Sequence, residues 1–162
     1  MSGQLDVKFL KPFVDGTLNT LKIQCQLEAT TEKPYIKGKQ PQPEFEIAAV
    51  IGITSNAFNG TITLLFPEKV YLTLMSNMLG ETFTEITSDL QDGAAELLNI
   101  IFGGAKVALS NQGYSVQKAI PTVVRGKLLQ TTHLGSAGIF VLPFTTTAGV
   151  FHIEIGVDAG TM

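Results

Sequence analysis

The chain is poor in the residues that most often carry chemistry. Its 162 residues include one cysteine, Cys25, two histidines, His133 and His152, and no tryptophan. A lone thiol excludes an internal disulfide and fits a reducing compartment. A Cys–His nucleophilic pair has little support, because both histidines fall in strand-like or turn-like sequence of the C-terminal third. Charge is scarce as well: 15% of residues are charged, and the net charge of −3 excludes the basic footprint that general nucleic-acid binding needs. No run approaches the ~18–20 apolar residues of a membrane span, and the N-terminal residues carry no apolar signal-peptide core. These absences lead us to expect a cytoplasmic protein that engages neither membrane nor nucleic acid.

What is present is core-forming material, 44% of the chain. A chain of this length can bury roughly two thirds of its extended surface without a disulfide or metal, so one domain over residues 1–162 is expected. Phe9, Leu10, Phe13, Val14, Leu18 and Leu21 have helical spacing across Leu5–Gln24, with Pro12 marking a bend or a late first turn. Thr30–Pro43 is polar and proline-rich and reads as an exposed loop. Phe45–Thr54 and Thr61–Phe66 read as a hairpin around the turn residues Ser55–Gly60. Pro67 opens a helix that runs through Met78 and is capped by Gly80. A long helical pattern covers Asp89–Gln112, introduced by a Ser88/Gln91 capping box. After Gly113 the pattern is β: Ser115–Val124, Ala137–Thr145 and Val150–Val157, with a turn at Thr146–Gly149 and a loose tail after Asp158.

The order is helix, link, hairpin, helix, and then helix, extended segment, hairpin. That is a weak internal repeat. Two such halves would pool their strands, giving an α+β fold: a mostly antiparallel sheet with long helices on one face.

The long helix carries the candidate site. At about 100° per residue, Asp92, Glu96, Asn99, Gly103 and Lys106 share an arc of roughly 80°. Leu90, Ala94, Leu97, Leu98, Ile101, Ala105, Ala108 and Leu109 occupy the opposite side. A narrow polar ridge thus offers two acids and a carboxamide beside a glycine, at close approach to another molecule. Gly104 and Gly93 point sideways; helix packing is one use for the former, and the latter is left without a role. Gly135–Gly138 is no phosphate loop, because no helix follows it.

Asp92, Glu96, Asn99 and Gly103, spaced Asp-x-x-x-Glu-x-x-Asn-x-x-x-Gly, resemble the signature of the CheC/CheX/FliY chemotaxis phosphatases. The segment Ile120–Gly126 and the strand Val50–Thr54 with Gly60 are similar to that family too, so the resemblance spans about 5–158. CheC-type members carry a second Glu-x-x-Asn helix in the first half. Here the corresponding helix offers Asp15 and Asn19, four apart and not matching, so the chain resembles a CheX-type member. The resemblance implies a phosphatase acting on the phospho-aspartate of a CheY-like receiver domain. Glu96 and Asn99 would act on the reacting groups, and Asp92, Gly103 and Lys106 would contact the partner. Asn99 would orient the water, and Glu96 would pair with the receiver's lysine. It further implies Mg²⁺ held by the receiver, no cofactor of the protein's own, and a homodimer joined through sheet edges. The alternative is a non-catalytic receiver-binding or flagellar-switch adaptor.

Overall fold

A computed structural model describes residues 7–38, 43–126 and 138–158. In chain order the elements are α1 (Val7–Cys25), β1 (Thr30–Thr31), β2 (Tyr35–Ile36), β3 (Ile47–Ser55), β4 (Asn59–Phe66), α2 (Glu68–Leu79), α3 (Ser88–Asn111), β5 (Val116–Lys118), β6 (Thr122–Arg125), β7 (Ile139–Thr146) and β8 (Gly149–Asp158). The expectations for His133, for Gly135–Ala137 and for the tail after Asp158 lie outside the described residues.

All strands pair antiparallel in one sheet. Its order is β1/β2, β7, β8, β4, β3, β5/β6, with the paired short strands sharing each edge. The two halves interlock. The broken strand after α1 pairs with β7, the broken strand after α3 pairs with β3, and β4 joins β8 at the centre. This corrects the loop expected over Thr30–Pro43: Thr30–Thr31 and Tyr35–Ile36 are edge strands. A polar composition hid them, because an edge strand two residues long buries little. The extended segment expected over Ser115–Val124 is likewise two strands, interrupted where Pro121 has no amide to donate.

Alternation along the strands sends Ile47, Ala49, Ile51 and Ile53 of β3 to the helix-covered face. There they meet Ile62, Leu64 and Phe66 of β4, Ile153 and Ile155 of β8, and the apolar stripes of α1, α2 and α3. The other face holds a small cluster of Phe45, Ala48 and Leu65. On that face the fully buried Glu154 accepts from Lys37 Nζ at 3.2 Å.

The helix ends follow local chemistry. Pro67 is extended (ψ 148°) at the start of α2, and Gly80 closes the helix at φ 73°, donating its N–H to Ser76 O at 2.9 Å. At α3 the expected Ser88/Gln91 box is replaced by Thr87, one residue earlier, whose hydroxyl accepts from Leu90 N at 3.2 Å. Both residues are capable caps; Thr87 takes the role because its backbone is extended. By length and composition alone α3 could cross a membrane, but its apolar stripe packs on the sheet and α1.

Candidate functional site

Helices α1 and α3 cross where Gly16 meets Gly104. A Cβ added to Gly16 would lie 3.2 Å from Ile101 O, and one on Gly104 would lie 4.0 Å from Gly16 Cα. The helices run antiparallel: the Phe9 ring, near the start of α1, sits 5.8 Å from the Tyr114 ring just past the end of α3. Gly16 is the tight position of this crossing; a Cβ on Gly104 would make only ordinary contact. Gly93 also has a packing role that its place on the helical wheel did not suggest. A side chain there would collide with Met75 Sδ and come within 2.9 Å of the Tyr71 hydroxyl, which donates to Leu90 O at 2.6 Å. Burial pushes the Tyr71 phenol well above its ordinary range.

A two-fold axis through the crossing exchanges Gly16 with Gly104 and so relates the two antiparallel helices residue by residue. In that register Phe9, Leu10, Phe13, Thr17 and Leu21 of α1 match Leu97, Leu98, Ile101, Ala105 and Leu109 of α3, and all ten are buried. The positions matching Glu96 and Asn99 are then Lys8 and Lys11. This corrects the comparison with Asp15 and Asn19, which correspond to Gly103 and Val107 instead. Spacing within a single helix could not reveal the register; the crossing point fixes it.

On α3 the ridge residues stand as follows. Asp92, Glu96, Gly103 and Lys106 are exposed, and Asn99 is half-buried. Asp92 and Glu96 have no ion-pair partner among the described residues. The Asn99 carbonyl oxygen Oδ1 is shielded and accepts no hydrogen bond from the described residues. A shielded acceptor without a partner is uncommon in a settled interior, and a bound water or an approaching donor would satisfy it. At Gly103 an added Cβ would meet nothing within 4 Å, so the backbone there is bare and approachable. The sequence reading left Val107 unassigned. It is 66% exposed and lies about 20° around the helix from Glu96.

The remaining candidates are quieter. Cys25 is buried, and burial pushes its thiol up to about 11, which leaves it protonated and unreactive at neutral pH. His152 sits on the face of the sheet away from the helices, half-buried, with Nδ1 unpartnered among the described residues. A groove of about 470 Å³ between α1 and α3 is lined by Lys11, Asp15, Asn19 and Gln112 among others. Its Lys11 and Asp15 pair with each other at 2.8 Å. Among the described residues no group of three or more His, Cys, Asp or Glu side chains could hold a metal ion.

The architecture is therefore an α+β fold of two pooled halves, with an acid–amide ridge on the second of two matched helices. Its sequence from residue 47 to 145 matches the model of the chemotaxis phosphatase CheX, and the chain belongs to that family. A CheC-like superfamily protein from Shewanella sp. PV-4 is 33% identical, with 95% of this chain and 99% of that one covered and a TM-score of 0.88. The chemotaxis protein CheX from Vibrio vulnificus is 31% identical, with 94% and 100% covered and a TM-score of 0.88. The CheX of a CheX–CheY–BeF₃–Mg²⁺ complex from Borrelia burgdorferi shares the fold at 18% identity, with 96% and 99% covered and a TM-score of 0.78. Among curated proteins none matches significantly.

Proposed function

We propose that this protein dephosphorylates the phospho-aspartate of a CheY-like receiver domain. The observation that carries the reading is the pairing, one turn apart on one helix, of the exposed Glu96 carboxylate with the half-buried Asn99 carboxamide, whose oxygen has no partner among the described residues. Family membership supplies the reaction class. The Borrelia relative, bound to CheY with BeF₃ and Mg²⁺, supplies the kind of substrate.

An acyl phosphate on a receiver already has its phosphoryl oxygens neutralised by the receiver's own Mg²⁺ and lysine. What is missing is a water held in line with phosphorus. Asn99 supplies it. Its Oδ1 forms no hydrogen bond among the described residues where it lies, and the terminal torsion of asparagine is broad, so turning the amide outward sacrifices nothing. Turned outward, Oδ1 accepts from the attacking water. The water oxygen bonds to phosphorus, the bond to the aspartyl oxygen breaks, and the proton leaves with inorganic phosphate. A carboxamide suits this role because it adds no charge to compete with the phosphoryl group. Glu96 anchors the helix by pairing with the receiver's lysine. Asp92 and Lys106 contribute polar contacts at the two ends of the ridge.

In the same reading the protein acts in the cytoplasm as a homodimer, extended through the outer sides of β1/β2 or β5/β6, and it brings no cofactor of its own. The test is phosphate release from phosphorylated receivers, with wild type beside Asn99→Ala. We expect turnover to fall by about 100-fold or more. Unchanged turnover in the variant would overturn the mechanism. Tight binding to a phosphorylated receiver with no acceleration by wild type would favour adaptor duty.

A further inference from the structure

The two matched helices provide an internal control that bears on how the partner is held. Three glycines interrupt α3, each at a helix-propensity cost of roughly 1 kcal/mol relative to alanine. Packing explains one of them: Gly93 makes room for Met75 and Tyr71, whereas a Cβ on Gly104 would make only ordinary contact with Gly16. Gly103 has nothing within 4 Å of where its side chain would be. One turn further on stands Val107, 66% exposed. A β-branched side chain on the wet side of a helix gains nothing from burial and loses rotamer freedom. Ile100, half-buried, borders Gly103 on the same flank. Neither packing space at Gly103 nor burial at Val107 accounts for the residue found there.

On α1, where lysines replace the reactive pair, the positions matching Gly103 and Val107 are Asp15 and Asn19. Both are exposed, and Asp15 is held by Lys11 at 2.8 Å. The helix without the acid and amide carries ordinary solvated residues there. The helix with them carries bare backbone and an aliphatic side chain. Within one molecule, the apolar strip accompanies the reactive pair.

We infer that Ile100, Gly103 and Val107 form an apolar docking strip that receives the receiver domain alongside its phosphorylation site. The strip rests on the functional reading above and adds to it. Glu96 and Asn99 address the reacting groups, while Val107 and the Gly103 backbone bury an apolar patch of the receiver and supply affinity. Continuity fixes the occupant. Val107 lies about 20° around the helix from Glu96 and about 16 Å along it, within the roughly 30 Å span of a small domain seated on the acid.

The test uses the full chain and a CheY-type receiver held in its active form by beryllofluoride and Mg²⁺, with affinity read by calorimetry. Val107→Asp should weaken binding by about tenfold, the loss of a moderate interface contact. Its melting temperature should not change, because the side chain is solvent-exposed in the free protein. Leu79→Asp, at the end of α2 where Leu79 is 53% exposed, should bind as wild type. Affinity of Val107→Asp within twofold of wild type would overturn the strip. So would an equal loss in Leu79→Asp, which would point to net charge instead. Asn99→Ala turnover, measured separately, decides the catalytic reading, so the two proposals fail independently.

Discussion

Helices α1 and α3 solve the same packing problem with different surfaces. Inward, their residues correspond one for one through the Gly16–Gly104 crossing: large apolar groups on the sheet, small ones where the helices touch. Outward they diverge. The outer side of α1 reads Lys11, Asp15 and Asn19, and the matching positions of α3 read Asn99, Gly103 and Val107, with Glu96 one turn before Asn99. The buried faces are tied by the shared requirement to cover one sheet, whereas the outer faces are under no packing constraint. The difference between the helices thus falls where the proposed reactive pair lies.

Exchanging outer residues between the helices gives the largest expected effect. Asn99→Lys, which installs the α1 residue on α3, should lower phosphate release by about 10²–10³-fold. The added ammonium cannot accept from the water. Lys11→Asn, the reverse exchange, should leave turnover unchanged, since its neighbours stay Lys8 and Asp15. If Lys11→Asn lowers turnover as much, α1 takes part in the reaction and the division between the helices fails.

The halves also differ beneath the sheet. Lys37 and Arg125 match in the same register, but Lys37 pairs with the fully buried Glu154 while Arg125 is exposed. Removing Lys37 takes the cation from beside a buried carboxylate, where charge is costly to hold. Lys37→Met should cost about 2–3 kcal/mol in urea unfolding, below the usual range because Lys37 itself keeps some solvent contact. Arg125→Met should stay within about 0.5 kcal/mol. Equal costs would mean that the two edges bear the same load.

Much of this was legible in the sequence. The acid–amide ridge needed only helical periodicity, and both hairpins and all three helices needed only apolar spacing, glycines and prolines. What was not legible depended on contacts between distant segments. Thr30–Thr31 and Tyr35–Ile36 become strands only because β7 offers them an edge. The packing role of Gly93 exists only because Tyr71 and Met75 arrive from α2. The shielding of Asn99 Oδ1 likewise depends on the assembled fold. Thr87 over Ser88 was a choice between adjacent capable caps, which backbone geometry alone decides.

A smaller effect separates the glycines of α3. Gly103→Ala meets open space and should stabilise the protein by up to about 1 kcal/mol through helix propensity, while weakening receiver binding. Gly93→Ala must displace Met75 and the Tyr71 hydroxyl and should destabilise by about 1–2 kcal/mol. A thermal denaturation series over the two variants checks the sign at each. Were Gly103→Ala to destabilise, the ridge backbone would be under a constraint that its open surroundings do not reveal.

The smallest effect concerns the central strand pair, where β4 carries no titratable side chain and β8 carries His152 beside Glu154. Burial lowers the His152 pKa from 6.5, and the nearby Glu154 carboxylate partly offsets this. The folded protein therefore binds the proton less readily than the unfolded chain. Above about pH 6.5 neither state holds it, and the contribution to stability is fully present. As pH falls below 6.5 the unfolded chain protonates first, and stability declines until the folded-state value is passed. Urea midpoints should thus drop between neutral pH and pH 5, and His152→Leu should flatten that part of the profile. A slope that survives the substitution would assign the proton to another group, leaving the two central strands alike in their response to acid.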